Sequence, residues 1–459
     1  MNVDNLRVTL KSIPVAIVLM LIGMIVIAMA LMLQFRQRLT PAGTGATVTL
    51  TMWYLGAGGH HEKRFTDEMV RRYEQGHPGV KVLVTYYNSL DEYIRIINSA
   101  LAGETAFPDL ARGDQGSHSV DALVRQGRLV DLSSEAVRRG WRDRLQPGML
   151  EYLGRRYTGG TFLIPSRIHF AGVFYNRQVF EKLGLQIPRT EREFESLLAL
   201  LKREGQIPLV ISGKTGDHLL FHWYALINNR LNLIDRPTRE ILNDLFAGKN
   251  SVAFDSEPFK QGAEKIKEWM RRGYFNHDFA SLTGPEAYDR FLEGKSPLYL
   301  GLGGSWAQER ERAHPPQFVI GFFPFPPPEL GKRAIATGSP TSVWQVFKGD
   351  DQAAAIELTD WMLSHEVGRF LIENQNLPAL RMDDLRGISL APHLLEEISA
   401  FKECDLGIFY DNASPALRGV MKQGVIQLMA GEKTVDGLVT ETQAAFQKDL
   451  DSSPLTIAR

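Results

Sequence analysis

A tryptophan behind a pair of glycines, Gly303-Gly304-Ser305-Trp306, is the most promising chemical feature of the chain. An indole ring offers a flat apolar face for stacking, and adjacent glycines let a ligand approach the backbone. Ser305 is predicted to cap a following helix, whose free amides favour ligand oxygens. The alternative is a core tryptophan behind a turn. The spacing lacks the G-x-G-x-x-G pattern of a dinucleotide loop.

Three more candidates follow predicted strands. Trp53 and Tyr54 end the first strand, and Asp114 comes just after Asp109–Arg112. Ligands of open α/β sheets bind beyond the carboxyl ends of the strands. Because side chains alternate along a strand, at most one of Trp53 and Tyr54 is expected to touch a ligand. Asp114 either accepts hydrogen bonds from a ligand or only caps a helix.

Two tryptophans farther along the chain are weighed in the same way. Trp223 follows the Gly213–Gly216 turn, and a helix start with buried aromatic residues would look identical. Trp344 follows a glycine-rich turn and could line a cleft. Both stay ligand-contact candidates next to their interpretation as core residues.

The sequence contains few of the motifs that indicate catalysis or metal binding. The chain has no G-x-S-x-G, no H-E-x-x-H and a single cysteine, Cys404, so no disulfide within it is possible. His60 and His61 are adjacent and do not share a metal easily. No catalytic residue, metal or cofactor is therefore predicted. A glycoside hydrolase stays open, since two carboxyl groups about 5–10 Å apart are not visible in a sequence.

Strand and helix patterns alternate along the chain and predict an α/β fold. The segments 48–54 and 80–87 are strand-like, and helical stripes follow both. Ser89-Leu90-Asp91-Glu92 and Thr190-Glu191-Arg192-Glu193 are capping boxes at predicted helix starts. Short connections between strands and helices indicate a parallel sheet covered by helices. A chain of 459 residues with a net charge of −1 suits two lobes and disfavours a nucleic-acid partner.

The N-terminal segment contains an apolar run from Ile13 to Phe35 without a charged residue. Such a run is long enough to cross a hydrocarbon core of about 30 Å as a helix. We expect an uncleaved anchor over residues 1–35, followed by a linker at 36–47. A cleaved signal peptide is the alternative, because Ala28-Met29-Ala30 matches a cleavage site. No cysteine follows the run, so a lipid anchor is excluded.

Six segments spread over most of the chain carry a resemblance to a known family. They are WYLGAGG (53–59), FTDEMVRRYEQGHPGVKVLV (65–84), SALAGETAFPDL (99–110), TFLIPSRIHFAGVFYNRQVFEKLGL (161–185), FLEGKSPLYLGLGGSW (291–306) and NLPALR (376–381). In this order they resemble the extracellular solute-binding proteins of ABC importers, the maltose-binding-like group that mostly takes up carbohydrates. Arg177 stands where the family usually has lysine, and an extra leucine precedes Arg381.

The resemblance implies a two-lobed periplasmic-binding-protein-like fold (type II) with three hinge crossings, near 164–166, 322–325 and 377–381. Lobe 1 would comprise 48–164 plus 323–374, and lobe 2 would comprise 165–322 plus 375–459. Arg381, at the third crossing, would reach a ligand or form a hinge salt bridge, and Arg167 is open to both interpretations.

The resemblance also implies a function. A sugar or oligosaccharide would bind between the lobes and close them, and the closed protein would deliver it to an ABC permease. We expect a monomer on the extracytoplasmic side of a bacterial membrane. A ligand-binding subunit of a membrane sensor is the alternative.

Overall fold

The computed structural model describes residues 47–56, 60–113, 118–154, 160–246, 248–249, 252–381, 387–408 and 413–452. Thr49–Arg459 forms one compact unit. The apolar run at 13–35, nearly all of the predicted linker and Asp114 lie outside the described residues. Among the helices that are described, none is both long and apolar enough to cross a membrane.

The secondary structure alternates as the sequence predicts. The strands are β1 Val48–Leu55, β2 Val80–Tyr87, β3 Leu110–Gly113, β4 Ile164–Asn176, β5 Leu209–Val210, β6 Leu298–Leu302, β7 Ile320–Phe323, β8 Ile335–Val346 and β9 Asp405–Leu406. The helices are α1 His60–Gly76, α2 Leu90–Leu101, α3 His118–Arg125, α4 Ser133–Arg138, α5 Trp141–Arg144, α6 Met149–Gly154, α7 Arg177–Leu183, α8 Glu191–Arg203, α9 Asp217–Asn232, α10 Thr238–Phe246, α11 Glu257–Arg271, α12 Gly284–Leu292, α13 Ser305–Ala313, α14 Gln352–Met362, α15 His365–Glu373, α16 Pro392–Glu403, α17 Pro415–Ala430 and α18 Val435–Ser452.

Both predicted capping sites are present. The Ser89 hydroxyl accepts the Glu92 amide at the start of α2, and Thr190 accepts the Glu193 amide at the start of α8. Each interaction satisfies one of the amides that a helix start leaves without a partner. These helices therefore begin where the local sequence indicates.

The strands form a sheet in the order β2-β1-β3-β8-β4-β6-β5, with β7 paired to β4 and β9 paired to β8. The pairs β1–β3 and β5–β6 are parallel, in agreement with the sequence pattern. Two long strands, β4 and β8, run antiparallel to each other through the middle of the sheet. The sheet is thus mixed, with parallel pairs on either side of an antiparallel centre.

β8 is a strand that the sequence pattern does not reveal. Pro340 and Gly338 lie inside it, and both residue types normally interrupt strands. Gly338 is required, because a Cβ there would lie 2.4 Å from the backbone oxygen of His169 on β4. Ser342 adopts a φ of 53°, a left-handed conformation that is uncommon for a residue with a side chain. Close contact with β4 therefore decides the conformation of β8.

Separate hydrophobic clusters lie at the two ends of the sheet. At the first end, β1, β2 and β3 pack with α2 and α3 around Trp53, Tyr93 and Ile97. At the second end, a larger cluster joins β4, β5 and β6 to helices that include α8, α9, α11, α17 and α18. We call the end of the sheet that carries β2, β1 and β3 the first half of the molecule, and the end that carries β5, β6 and β7 the second half.

The segment predicted as the second crossing, 322–325, belongs to the second half. Phe323 and Phe325 are part of the larger hydrophobic cluster, and β7 pairs with residues 173–176 of β4. The chain returns to the first half only along β8, which pairs with β3 at residues 343–346. Apolar burial of the two phenylalanines thus keeps this segment with the second half, whereas the prediction begins the second stretch of lobe 1 at 323.

The first and third predicted crossings lie side by side. The amide of Ile168 donates to the Leu377 oxygen at 2.8 Å, and the amide of Ala379 donates to the Ser166 oxygen at 2.9 Å. On the other edge of β4, Arg167 pairs with Thr341 of β8. Three chain segments far apart in sequence thus run next to one another between the two halves.

Candidate functional site

A group of polar and aromatic side chains meets where the two halves adjoin. We call it the junction cluster. It consists of Tyr54, Glu62, Arg112, Arg167, His169, Ser305, Ser342, Trp344 and Asn376.

Glu62, in the first turn of α1, links three parts of this cluster. Its carboxylate accepts from an Arg167 terminal nitrogen at 2.7 Å and from the Tyr54 hydroxyl at 2.9 Å. Arg167 also lies over the ring of Phe65, 4.5 Å from its centroid. Arg167 and Glu62 are buried, so the ion pair is shielded from water and gains strength from its hydrogen bonds.

The second half and a crossing segment contribute to the same group. Ser305, at the start of α13, places its hydroxyl 3.4 Å from a Glu62 carboxylate oxygen. The Asn376 amide oxygen lies 3.5 Å from an Arg167 terminal nitrogen. Gly304, not Ser305, is the N-cap of α13, and no side chain caps this helix start. The prediction that Ser305 caps the helix is thus wrong, because its hydroxyl bonds Glu62 instead.

Arg112 is positioned by β3 at the edge where the parallel strands β1 and β3 end. It is paired with Tyr54 on one side and with Trp344 on the other. Its guanidinium lies 4.8 Å from the centre of the Tyr54 ring and donates to the Leu55 carbonyl and the Ser342 hydroxyl. Ser342 can receive this bond in the left-handed conformation described above.

Electrostatics within the cluster favour a charged pair and a neutral histidine. Burial works to raise the pKa of Glu62, but Arg167 and Arg112 outweigh it and hold the pKa below its ordinary value. Burial, and secondly the Glu62 charge, raises the pKa of Tyr54. Burial together with the positive charges of Arg112 and Arg167 lowers the pKa of His169 to about 3. At neutral pH, His169 therefore carries no charge.

Trp306 follows the cluster by one residue and is half-buried. Its ring packs edge-on against Tyr288 at 5.3 Å and against His218 at 6.4 Å between centroids. His218 is held by the Tyr299 hydroxyl at 3.0 Å, and burial lowers the pKa of His218 to about 4. A partly open indole on such a support is suited to stacking against a ligand.

Buried acids support the glycine turn from behind. Glu311 of α13 accepts from Tyr288 at 2.7 Å and from Gln375 at 3.1 Å. A Cβ on Gly303 would lie 3.1 Å from the Glu397 carboxylate, so α16 packs directly against the turn. Burial, followed by the nearby Glu311 charge, raises the pKa of Glu397 to about 8. In the described ranges, no three His, Cys, Asp or Glu side chains are placed to share a metal ion.

Several predicted contacts lie elsewhere. Trp53 is 8% exposed and packs on Tyr87 and Phe347 in the first hydrophobic cluster. Trp223 is fully buried, and its indole N–H donates to the Phe259 oxygen at 3.3 Å. Neither predicted ligand contact is supported, because both rings have their surface inside a core. Arg381 is exposed, and its Nε donates to the Leu145 oxygen at 3.0 Å.

A cavity of about 660 Å³ lies apart from the junction cluster. Its lining mixes apolar and polar residues and includes parts of α6, α10, α16 and β9. None of the junction-cluster residues contributes to it; the lining includes Met149, Leu242, Phe401, Arg333 and Asp405.

Sequence reasoning missed Glu62, Arg112, His169 and Asn376 as members of one group. They come from α1, β3, β4 and the third crossing, and no local motif connects them. One usable signal was Arg112, a charged residue at the end of the predicted strand Asp109–Arg112. Arg167 was left open between a ligand contact and a hinge salt bridge, and in the structure it forms an ion pair with Glu62.

Comparison with known proteins agrees with this architecture. The family described as bacterial extracellular solute-binding protein matches residues 57–369. A multiple sugar-binding protein of Streptococcus mutans is 25% identical over 37% of this chain. A probable sugar-binding periplasmic protein of Rhizobium meliloti is 24% identical over 40%. The matches span only 39% and 42% of the length of these two relatives.

Solved structures share the fold along most of the chain. The Streptococcus pneumoniae protein RafE, in a complex with raffinose, superposes with a TM-score of 0.68 at 20% identity. The likeness covers 88% of this chain and 99% of that one, and it extends to the two-lobed α/β architecture. Since the family match takes in more than half of the 459 residues, the chain belongs to the bacterial extracellular solute-binding proteins.

Proposed function

We propose that the protein binds a sugar or oligosaccharide outside the cytoplasm and delivers it to an ABC importer by closure of two lobes. The observation that carries this proposal is the junction cluster, to which both halves and two crossing segments contribute. Sugars need flat rings for their C–H faces and planar polar groups for their hydroxyls. Trp306 supplies the first kind of group, and Glu62, Arg112, Arg167 and Asn376 supply the second.

The two halves correspond to the two lobes in this proposal. Lobe 1 contains β1, β2 and β3, lobe 2 contains β5, β6 and β7, and the lobes are joined by β4, β8 and residues 377–381. Because β7 pairs with β4 in the second half, we propose the start of β8 as the second lobe boundary in place of 323. The proposed site comprises Tyr54, Gly304, Ser305, Trp306 and Trp344, together with Glu62, Arg112, Arg167 and Asn376.

Closure is supported by contacts between α1 and α13, which lie on opposite lobes. Besides the Glu62–Ser305 contact, Arg64 pairs with Glu309 at 2.9 Å. This pair is exposed on both sides, so it contributes little stability by itself. A ligand that touches both lobes stabilises the closed form only by its difference in affinity for the two forms. Turning a 1:99 ratio into 99:1 takes about 5.5 kcal/mol, which a few ligand contacts can supply.

Partners and location follow from the same proposal. A membrane permease with its ATPase would receive the sugar, and an N-terminal anchor over residues 1–35 would hold a monomeric binding domain close to it. Tethering raises the effective concentration of the binding domain at the permease.

The test is a thermal-shift screen of the full-length chain against neutral mono- and oligosaccharides, with amino acids and polyamines as controls. A sugar at 100 times its dissociation constant should stabilise the fold by about 2.7 kcal/mol. Stabilisation by amino acids alone, or by no solute, would contradict sugar binding. Incubation with chromogenic glycosides should release no chromophore, and release would point to a hydrolase.

A further inference from the structure

We propose that the solute is an acidic saccharide and that its carboxylate is bound by Arg112 and Trp344. This inference rests on the proposed function and adds the chemical class of the ligand.

The first observation is an arginine without an acidic partner. Arg112 donates only to neutral oxygens, those of Leu55 and Ser342. Among the described residues, no carboxylate oxygen lies within 4.0 Å of its guanidinium. Its Nε is buried and has no hydrogen-bond acceptor there. A partly buried guanidinium with neutral partners only retains a full positive charge to offer to a ligand.

The second observation concerns the neighbouring strand. Trp344, opposite Arg112 on β8, is 1% exposed, and its indole Nε1 is also buried without an acceptor in the described part of the chain. The Tyr54 ring lies 6.5 Å from the Trp344 ring and 4.8 Å from the Arg112 guanidinium, so it contacts both. A buried donor without an acceptor lowers the stability of the fold, so a ligand that supplies an acceptor there gains affinity.

Both groups only donate hydrogen bonds, so a ligand that satisfies them must bring acceptors. A carboxylate has two oxygens and accepts only. A neutral sugar hydroxyl accepts too, but it does not neutralise a charge. The local charges also fit: Arg112 and Arg167 are positive, Glu62 is negative, and His169 is neutral.

The excess of one positive charge matches the single negative charge of a sugar acid better than the nearly two charges of a phosphate monoester. The fold brings together two arginines that are distant in the sequence. Arg112 and Arg167 are 55 positions apart, but both lie beside Tyr54.

The experiment compares paired probes by calorimetry on the full-length chain: the disaccharide acid cellobiouronate, which carries one carboxylate, its methyl ester, and the neutral disaccharides maltose and cellobiose. We expect the acid to bind about 10- to 100-fold tighter than the ester, as for a charged hydrogen-bonded contact. Glucose 6-phosphate and galacturonate form a second arm that separates a phosphate from a carboxylate preference.

Variants assign the preference to residues. R112Q should bring the acid-to-ester ratio close to one, and R112K should keep a large part of it because the charge remains. W344F retains a buried ring without the N–H, so it should lower the ratio by a smaller factor. R95Q removes the same charge from an exposed position on α2 and should leave the ratio unchanged.

The outcomes separate the two proposals. Equal affinity for acid and ester while neutral sugars bind overturns the inference and leaves the proposed function standing. A ratio that survives in R112Q, or that R95Q lowers equally, also overturns it. If neither acidic nor neutral saccharides bind, the proposed function itself fails.

Discussion

Two partly buried arginines of this protein have opposite surroundings. Arg230 on α9 meets Glu191 through both of its terminal nitrogens, and Asn229 donates to the same carboxylate at 2.8 Å. Arg112 in the junction cluster has no carboxylate partner and one buried N–H without an acceptor among the described residues. An arginine whose charge is satisfied inside the fold serves the fold. An arginine that has an N–H group without an acceptor where the two lobes meet can instead bind a ligand, as we propose for Arg112.

The comparison predicts different stability effects for the two arginines. R230M leaves Glu191 buried without its cation and should lower the free energy of unfolding by about 3–5 kcal/mol. R112M leaves no carboxylate without its cation and removes a donor that has no acceptor. It should therefore lower the free energy of unfolding by only about 1–2 kcal/mol. Urea unfolding of both variants measures the difference. Equal losses would show that Arg112 is as much a part of the fold as Arg230.

A buried carboxyl group, that of Glu397, extends the comparison through the pH dependence of stability. Burial and Glu311 raise the pKa of Glu397 to about 8 in the folded protein, whereas its ordinary value is 4.5. Because the folded state holds the proton more tightly, this stabilisation is complete below about pH 4.5 and is lost as the pH rises towards 8. E397Q cannot lose a proton and should escape this decline.

Titration of Glu397 can change the free energy of unfolding by at most about 1.4 kcal/mol per pH unit. Between pH 5 and 8, wild type should lose about 1–4 kcal/mol more than E397Q in chemical unfolding. E403Q, an exposed change on the same helix, is the matched control and should follow wild type. Parallel pH profiles for wild type and E397Q would show that Glu397 is ionised in the fold.

The smallest effect concerns Trp306. W306A should weaken sugar binding by about 1 kcal/mol through the lost stacking and leave unfolding cooperative. W223A removes a core ring and should instead lower stability by about 3–5 kcal/mol. Calorimetric titration and thermal unfolding of both variants separate the two roles. A collapse of stability in W306A with unchanged affinity would make Trp306 a core residue as well.

Much of the local structure was readable from residue patterns. Val48–Leu55 and Val80–Tyr87 appear as strands where apolar alternation predicts them, and Ser89 and Thr190 begin helices through the predicted hydrogen bonds. Such features depend on neighbours within a few residues, so the sequence contains the necessary information. The family resemblance, carried by six short segments in order, was confirmed by the match over 57–369.

Long-range contacts decided the rest. β8 contains Gly338 and Pro340 and looks like a turn, yet contact with His169 on β4 makes it a central strand. Trp53 and Tyr54 are neighbours in sequence, but only Tyr54 enters the junction cluster. The indole N–H of Trp223 donates to the Phe259 oxygen, whereas that of Trp344 has no acceptor among the described residues. The local sequence around either tryptophan does not show this difference. The sequence by itself determined where β1, β2, α2 and α8 begin. Only the tertiary structure decided which distant charges meet, because a charge is neutralised by the groups that surround it in space.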